Sequence, residues 1–112
     1  MTNIKRGTTP TIMVQIDGIT PADAEKIEFV FKHQMLETAH EICYKAYPGA
    51  AVTFDAENGC FLIAFSDEET RAFVRGNTVY MDTRIIFPDG SIPATEIVRI
   101  GVTETLFQRS VV

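Results

Sequence analysis

Residues 26–33 read Lys26-Ile27-Glu28-Phe29-Val30-Phe31-Lys32-His33, and the fold turns on whether they form a strand or a helix. Ile27, Phe29 and Phe31 recur every second residue, with Glu28, Val30 and Lys32 between them. That period of two puts the large apolar side chains on one face of a pleated strand. The wider window 24–40 also holds Glu, Lys, Gln, Met and Leu, which are good helix formers. Branched and aromatic residues in strict alternation fit a pleated surface better, so the strand is preferred. Residues 34–39 then become the turn.

The same period runs outward in both directions. Ile12, Val14 and Ile16 share a face within Thr9–Ile16. Thr20-Pro21-Ala22-Asp23 reads as a helix start, with Thr20 as N-cap and room for one turn. After the central stretch, His40–Tyr47 alternates, with Ile42, Tyr44 and Ala46 on one side, and Pro48-Gly49 breaks it. Ala51–Asp55 is a short strand. Asn58-Gly59 predicts a type I′ hairpin into Cys60–Phe65, which is apolar on both faces and so central in its sheet. Ser66-Asp67-Glu68-Glu69 is a capping box opening a short helical turn. Thr78–Phe87 is the longest strand, with Val79, Met81, Thr83, Ile85 and Phe87 facing one way and Tyr80, Asp82, Arg84 and Ile86 the other. Pro88-Asp89-Gly90-Ser91 turns the chain into Glu96–Thr103, where Val98, Ile100 and Val102 are expected inward.

About seven short strands with turns every 8–12 residues describe an all-β protein. The expected architecture is an immunoglobulin-like antiparallel β-sandwich with one or two short helical turns. With no Trp, the Cys…Trp…Cys core of antibody domains is excluded. The chain has 112 residues, so a single domain over 1–112 is expected, with an extended lead-in at 1–8 and a tail at 104–112. A chain of this size buries roughly two-thirds of its unfolded surface and folds without staples.

Composition narrows the function. The formal charge is −5 and there is no basic run, which argues against nucleic acid and anionic membrane as partners. No apolar run approaches the ~20 residues of a membrane helix. The residues after Met1 lack the apolar core of a signal peptide. Cys43 and Cys60 read as free, buried thiols of a cytosolic chain. Together with His33 and His40 they lack the spacing of a metal site, so no metal or other cofactor is expected. The three serines read as a cap, a turn residue and a tail residue, and neither a nucleophile elbow nor a phosphate-binding glycine loop is present. No catalytic residue is assigned.

Side-chain type marks two candidate contact sites. Tyr80, Asp82 and Arg84 lie on one face of the longest strand, with Asp82 and Arg84 two apart as a candidate polar network. Tyr and Arg are the types that dominate protein interfaces. Leu106 and Phe107 place apolar groups in the tail, where they could fold back on the core or dock on a neighbour.

The lead-in Arg6-Gly7-Thr8-Thr9-Pro10-Thr11, the corner Ala22-Asp23-Ala24-Glu25-Lys26-Ile27 and the turn Ser66-Asp67-Glu68-Glu69-Thr70 come in a set order, closed by Phe87-Pro88-Asp89-Gly90-Ser91. Over nearly its full length the chain resembles small immunoglobulin-like domains of phage and prophage tails and baseplates. The N-terminal domains of baseplate upper proteins are one similar group. The match is one of pattern, without a diagnostic motif. The resemblance implies a non-enzymatic structural or assembly role, with other phage structural proteins or the chain itself as partners, including a homo-oligomer. It implies the bacterial cytoplasm during assembly and then the virion. Baseplate upper proteins carry further segments after this domain, so a free-standing small tail or neck component is the expected form. A carbohydrate-binding or peptide-binding sandwich is the alternative. Exposed aromatics on which sugars stack are scarce here, with three Tyr and no Trp.

Overall fold

A computed structural model describes residues 3–74, 76–103 and 105. The strands are β1 (Asn3–Lys5), β2 (Thr11–Val14), β3 (Lys26–Lys32), β4 (Cys43–Tyr47), β5 (Val52–Asp55), β6 (Cys60–Ala64), β7 (Thr78–Ile86) and β8 (Val98–Thr103), with one helix, α1 (Asp67–Arg71), between β6 and β7. They form a five-stranded sheet, β1-β8-β7-β3-β4, and a three-stranded sheet, β2-β6-β5. β2, β6 and β5 take the places of strands B, E and D of an immunoglobulin domain, and β8, β7, β3 and β4 take those of G, F, C and C′. The chain is an all-β immunoglobulin-like sandwich. β1, in the stretch expected as an extended lead-in, pairs parallel with β8, Asn3 opposite Gly101 and Lys5 opposite Thr103.

The alternation within each strand builds the core between the sheets. Ile27, Phe29 and Phe31 of β3 are buried, as are Val79, Met81 and Ile85 of β7 beside them. They meet Ile12 of β2, Phe61 and Ile63 of β6, and Phe65. Phe31, Phe65 and Phe73 form a ring cluster, with Phe31 edge-on to Phe65 at 5.2 Å between centroids. Such edge-to-face pairs add attraction beyond the area they bury. β6 is the central strand of its sheet, as its two apolar faces predict.

The capping box forms as read from the sequence. Ser66 Oγ accepts from the Glu69 N–H at 3.2 Å, and Glu69 Oε1 accepts from the Ser66 N–H at 2.8 Å. The same carboxylate then leaves the helix and meets Lys45 Nζ of β4 at 2.7 Å. Lys45 is only 8% exposed and its ammonium lies 5.3 Å from the Phe65 ring centre. One acid thus caps α1 and ties the small sheet's crossover to the edge strand of the large one.

The lead-in is fastened at the other end of α1. Arg6 donates through Nε to the Phe73 carbonyl and through a terminal nitrogen to the Arg71 carbonyl, at 2.8 and 2.9 Å. Carbonyls at a helix C-terminus lack helical partners, and a guanidinium satisfies them. Thr70 Oγ1 donates to the Thr8 carbonyl and accepts from the Gly7 N–H. Gly7 has φ +77°, a left-handed backbone conformation that calls for glycine, and it packs under the Arg71 guanidinium. The lead-in and the helical turn therefore form one hydrogen-bonded unit.

Three local expectations change. Thr20 does not cap a helix. It donates instead, through N–H and Oγ1, to Asp23 Oδ2 at 2.7 and 2.9 Å, closing a turn. The hairpin at Asn58-Gly59 is not type I′, because only Gly59 has positive φ and type I′ needs two such residues. Its loop runs over four residues between the paired Asp55 and Cys60, because Asp55 gathers the Glu57 and Asn58 amides. Val98, expected inward, is 44% exposed at the start of β8. Glu28, on the outer face of β3, is buried. Cys43 and Cys60 are free and buried, in strands of different sheets.

Candidate functional site

Register sets the outer face of the five-stranded sheet. Tyr80 of β7 stands between Arg99 of β8 and Lys32 of β3. In the next row outward-facing Asp82 is opposite Val30, and Val30 opposite Tyr44. In the third, Arg84 is opposite Glu28, and Glu28 opposite Ala46. The connection from β3 to β4 rises at one end of these rows. Its Gln34, Met35, Leu36, Glu37 and Glu41 line, together with Ile97 just before β8, an open concavity of about 420 Å3.

Glu28 organises the floor. Its Oε1 accepts from Arg84 Nε at 2.6 Å, and its Oε2 accepts from the Tyr44 hydroxyl. Lys26 Nζ stands 3.7 Å away. These groups cover the carboxylate, which leaves Glu28 8% exposed although it points away from the core. The Arg84 hydrogen bond holds the Glu28 carboxyl below the usual carboxylate range against the opposing effect of burial, with Tyr44 and Lys26 adding to it. Accepting from Tyr44 raises the phenol in turn, since loss of its proton would remove the bond. The Arg84 guanidinium is raised, first by its hydrogen bond to Glu28.

Tyr80, Asp82 and Arg84, assigned from the sequence, all line this concavity. Asp82 and Arg84 form no close ion pair, although the Asp82 charge helps raise the Arg84 guanidinium. Arg84 reaches across to Glu28 on β3, and Asp82 Oδ1 accepts from the Thr83 N–H at 2.9 Å. Cross-strand neighbours are closer than residues two apart on one strand, which explains the choice. Leu106 and Phe107 lie outside the described residues. Sequence reasoning missed Glu28, Tyr44, Met35, Leu36 and Ile97. An acid inside an otherwise apolar strand was the available signal for Glu28. The others needed the register and the path of residues 33–42.

His33 directly follows β3. Its Nε2 accepts from the Val74 N–H at 2.9 Å, so the proton sits on Nδ1, which donates to the Thr78 carbonyl at 3.1 Å. Both ring nitrogens are thereby used in bracing the end of β3 against the start of β7. Among the described residues no group of three or more His, Cys, Asp or Glu could hold a metal ion. Cys43 Sγ lies 3.5 Å from Glu69 Oε2 as a donor. Burial first, and then the Glu69 charge, push its thiol up to about 12.

No protein-family model matches the chain, and no curated protein sequence does. Among solved structures, one similar fold is the extracellular domain of the voltage-gated sodium channel beta4 subunit, whose parallel homodimers are described as explaining its role in cell–cell adhesion. It has 12% identity and a TM-score of 0.42, with 94% of this chain and 92% of that chain covered. The first Ig-like domain of human CD48 antigen has 13% identity and a TM-score of 0.34, with 100% and 88% covered. At these scores the likenesses carry no functional argument, and the fold assignment stands on strand order.

Proposed function

We propose that this chain is a non-enzymatic contact module, a small structural or assembly component of a phage or prophage tail or baseplate, working through the outer face of its five-stranded sheet. One observation carries the contact reading: exposed Met35, Leu36, Tyr44 and Ile97 converge on a single concavity over the Glu28–Arg84 pair. Scattered exposed apolar residues are ordinary, but a convergent group beside Tyr and Arg has the composition of an interface centre. The virion setting is supported by the resemblance of the lead-in, corner and turn segments. The partner is another structural protein of the particle or a second copy.

Light scattering over a wide concentration range, alone and with recombinant tail and baseplate proteins of the same genome, tests the reading. A discrete complex is expected, lost on Leu36→Asp with Ile97→Asp while the unfolding temperature stays put. Association indifferent to that pair of changes, or absent with every partner, overturns it.

A peptide-binding reading has one observation of its own. β2 (Thr11–Val14) is an edge strand of the small sheet with no charged residue and with Met13 70% exposed. Such an edge can accept an added strand. Proline at position 13 would abolish association by that route and leave the outer face unaffected.

A further inference from the structure

We infer that the concavity receives a basic side chain, an arginine or lysine set among apolar neighbours on a partner protein. The inference rests on the contact reading above and specifies the partner's chemistry.

Charge is the first argument. The lining holds the acids Glu28, Glu37, Glu41 and Asp82 and the bases Lys32 and Arg84. Both bases are engaged. Lys32 Nζ donates to the carbonyls of Leu36 and Glu37 at 3.2 and 2.7 Å, and Arg84 is held by Glu28. Glu28 is itself covered by three donors. Glu37, Glu41 and Asp82 remain, all exposed and outside any close ion pair among the described residues, with Asp82 also accepting from the Thr83 N–H and acting on Arg84 through its charge. Arg99 flanks the concavity beside Tyr80 without lining it.

Shape and polarity are the second argument. Val30, Met35, Leu36 and Ile97 give the lining its apolar surface, beside the two tyrosines Tyr44 and Tyr80. Arg and Lys lay an apolar stem along such surfaces while the charged head reaches an acid. A guanidinium also stacks on tyrosine rings. A volume of about 420 Å3 holds such a side chain with its neighbours. A second copy fits poorly, because two identical faces would set the same three acids against each other in a chain of net charge −5.

The test titrates the isotope-labelled full chain with N-acetyl-arginine amide and with N-acetyl-citrulline amide, its neutral isostere, following backbone amide shifts by NMR. The arginine compound is expected to shift Val30, Glu41 and Asp82 and to bind at least about fivefold more tightly than citrulline. Asp82→Asn with Glu41→Gln should weaken it about tenfold and leave citrulline unchanged, and added salt should act in the same direction. Equal binding of the two compounds, shifts confined to other surfaces, or indifference to the acid replacements overturns the inference. Dimerisation through this face overturns it as well. A partner complex that Leu36→Asp abolishes, without any arginine preference, sinks this inference alone. Association untouched by Leu36→Asp sinks the contact reading beneath it.

Discussion

Glu28 shows how one side chain can serve an exposed face while being buried. Arg84 is largely solvated, so the ion pair itself is worth little, and the covered carboxylate with its Tyr44 bond carries more. Glu28→Gln is expected to cost about 1–2 kcal/mol in denaturant unfolding. The pH dependence has a definite sign. The folded-state pKa of Glu28 is depressed, so its contribution is present above the unfolded value of about 4.3 and is lost as pH falls through the lower folded value. Glu69 acts in the same sense. Burial alone would raise it, but the Lys45 and Ser66 bonds outweigh that and leave it lowered. Unfolding midpoints measured down through the carboxylate range should fall less steeply in Glu28→Gln than in the wild type. Cys43 gives a separate readout. With its thiol pushed up to about 12, it should resist iodoacetamide at mildly alkaline pH in the folded chain and react once the chain is unfolded, as read by mass spectrometry.

Among the elements, α1 is too short to persist by itself, and its stability comes from its two ends. Ser66→Ala removes one cap bond and should cost about 1 kcal/mol. Glu69→Ala removes the other cap bond and strands the buried Lys45 ammonium, so it should cost about 2–3 kcal/mol. The ordering of these two variants in chemical denaturation checks whether the link between sheets outweighs the cap. The capping box was legible because it is a four-residue pattern. Its tie to Lys45 was not, because that depends on how two sheets pack. The same division holds elsewhere. Strand faces in β3 and β7 follow from alternation, whereas β1 gave no periodic signal in three residues and is made a strand by its neighbour β8. Thr20-Pro21 misled because a helix start and an Asp-closed turn use the same residue types.

For the whole molecule, the core and the proposed contact face lie on opposite sides of one sheet. Phe29→Ala, in the core between the layers, should cost about 3–5 kcal/mol and be seen as a large fall in unfolding midpoint. Leu36→Asp, on the far side, should leave that midpoint nearly unchanged. The sandwich class was legible from strand count and spacing. The concavity was not, because it is made by a connection without periodicity folding over rows whose register no single strand encodes. The parallel pairing of β1 with β8 has a mechanical consequence. Asn3 lies beside Gly101 at one end of the pair and Thr103 beside Lys5 at the other. Tension applied outward at Asn3 and Thr103 runs along the two strands in opposite directions. The cross-strand bonds are then loaded in shear, all together, and must give way at once instead of peeling open singly. A domain wired in this way resists stretching between those two points.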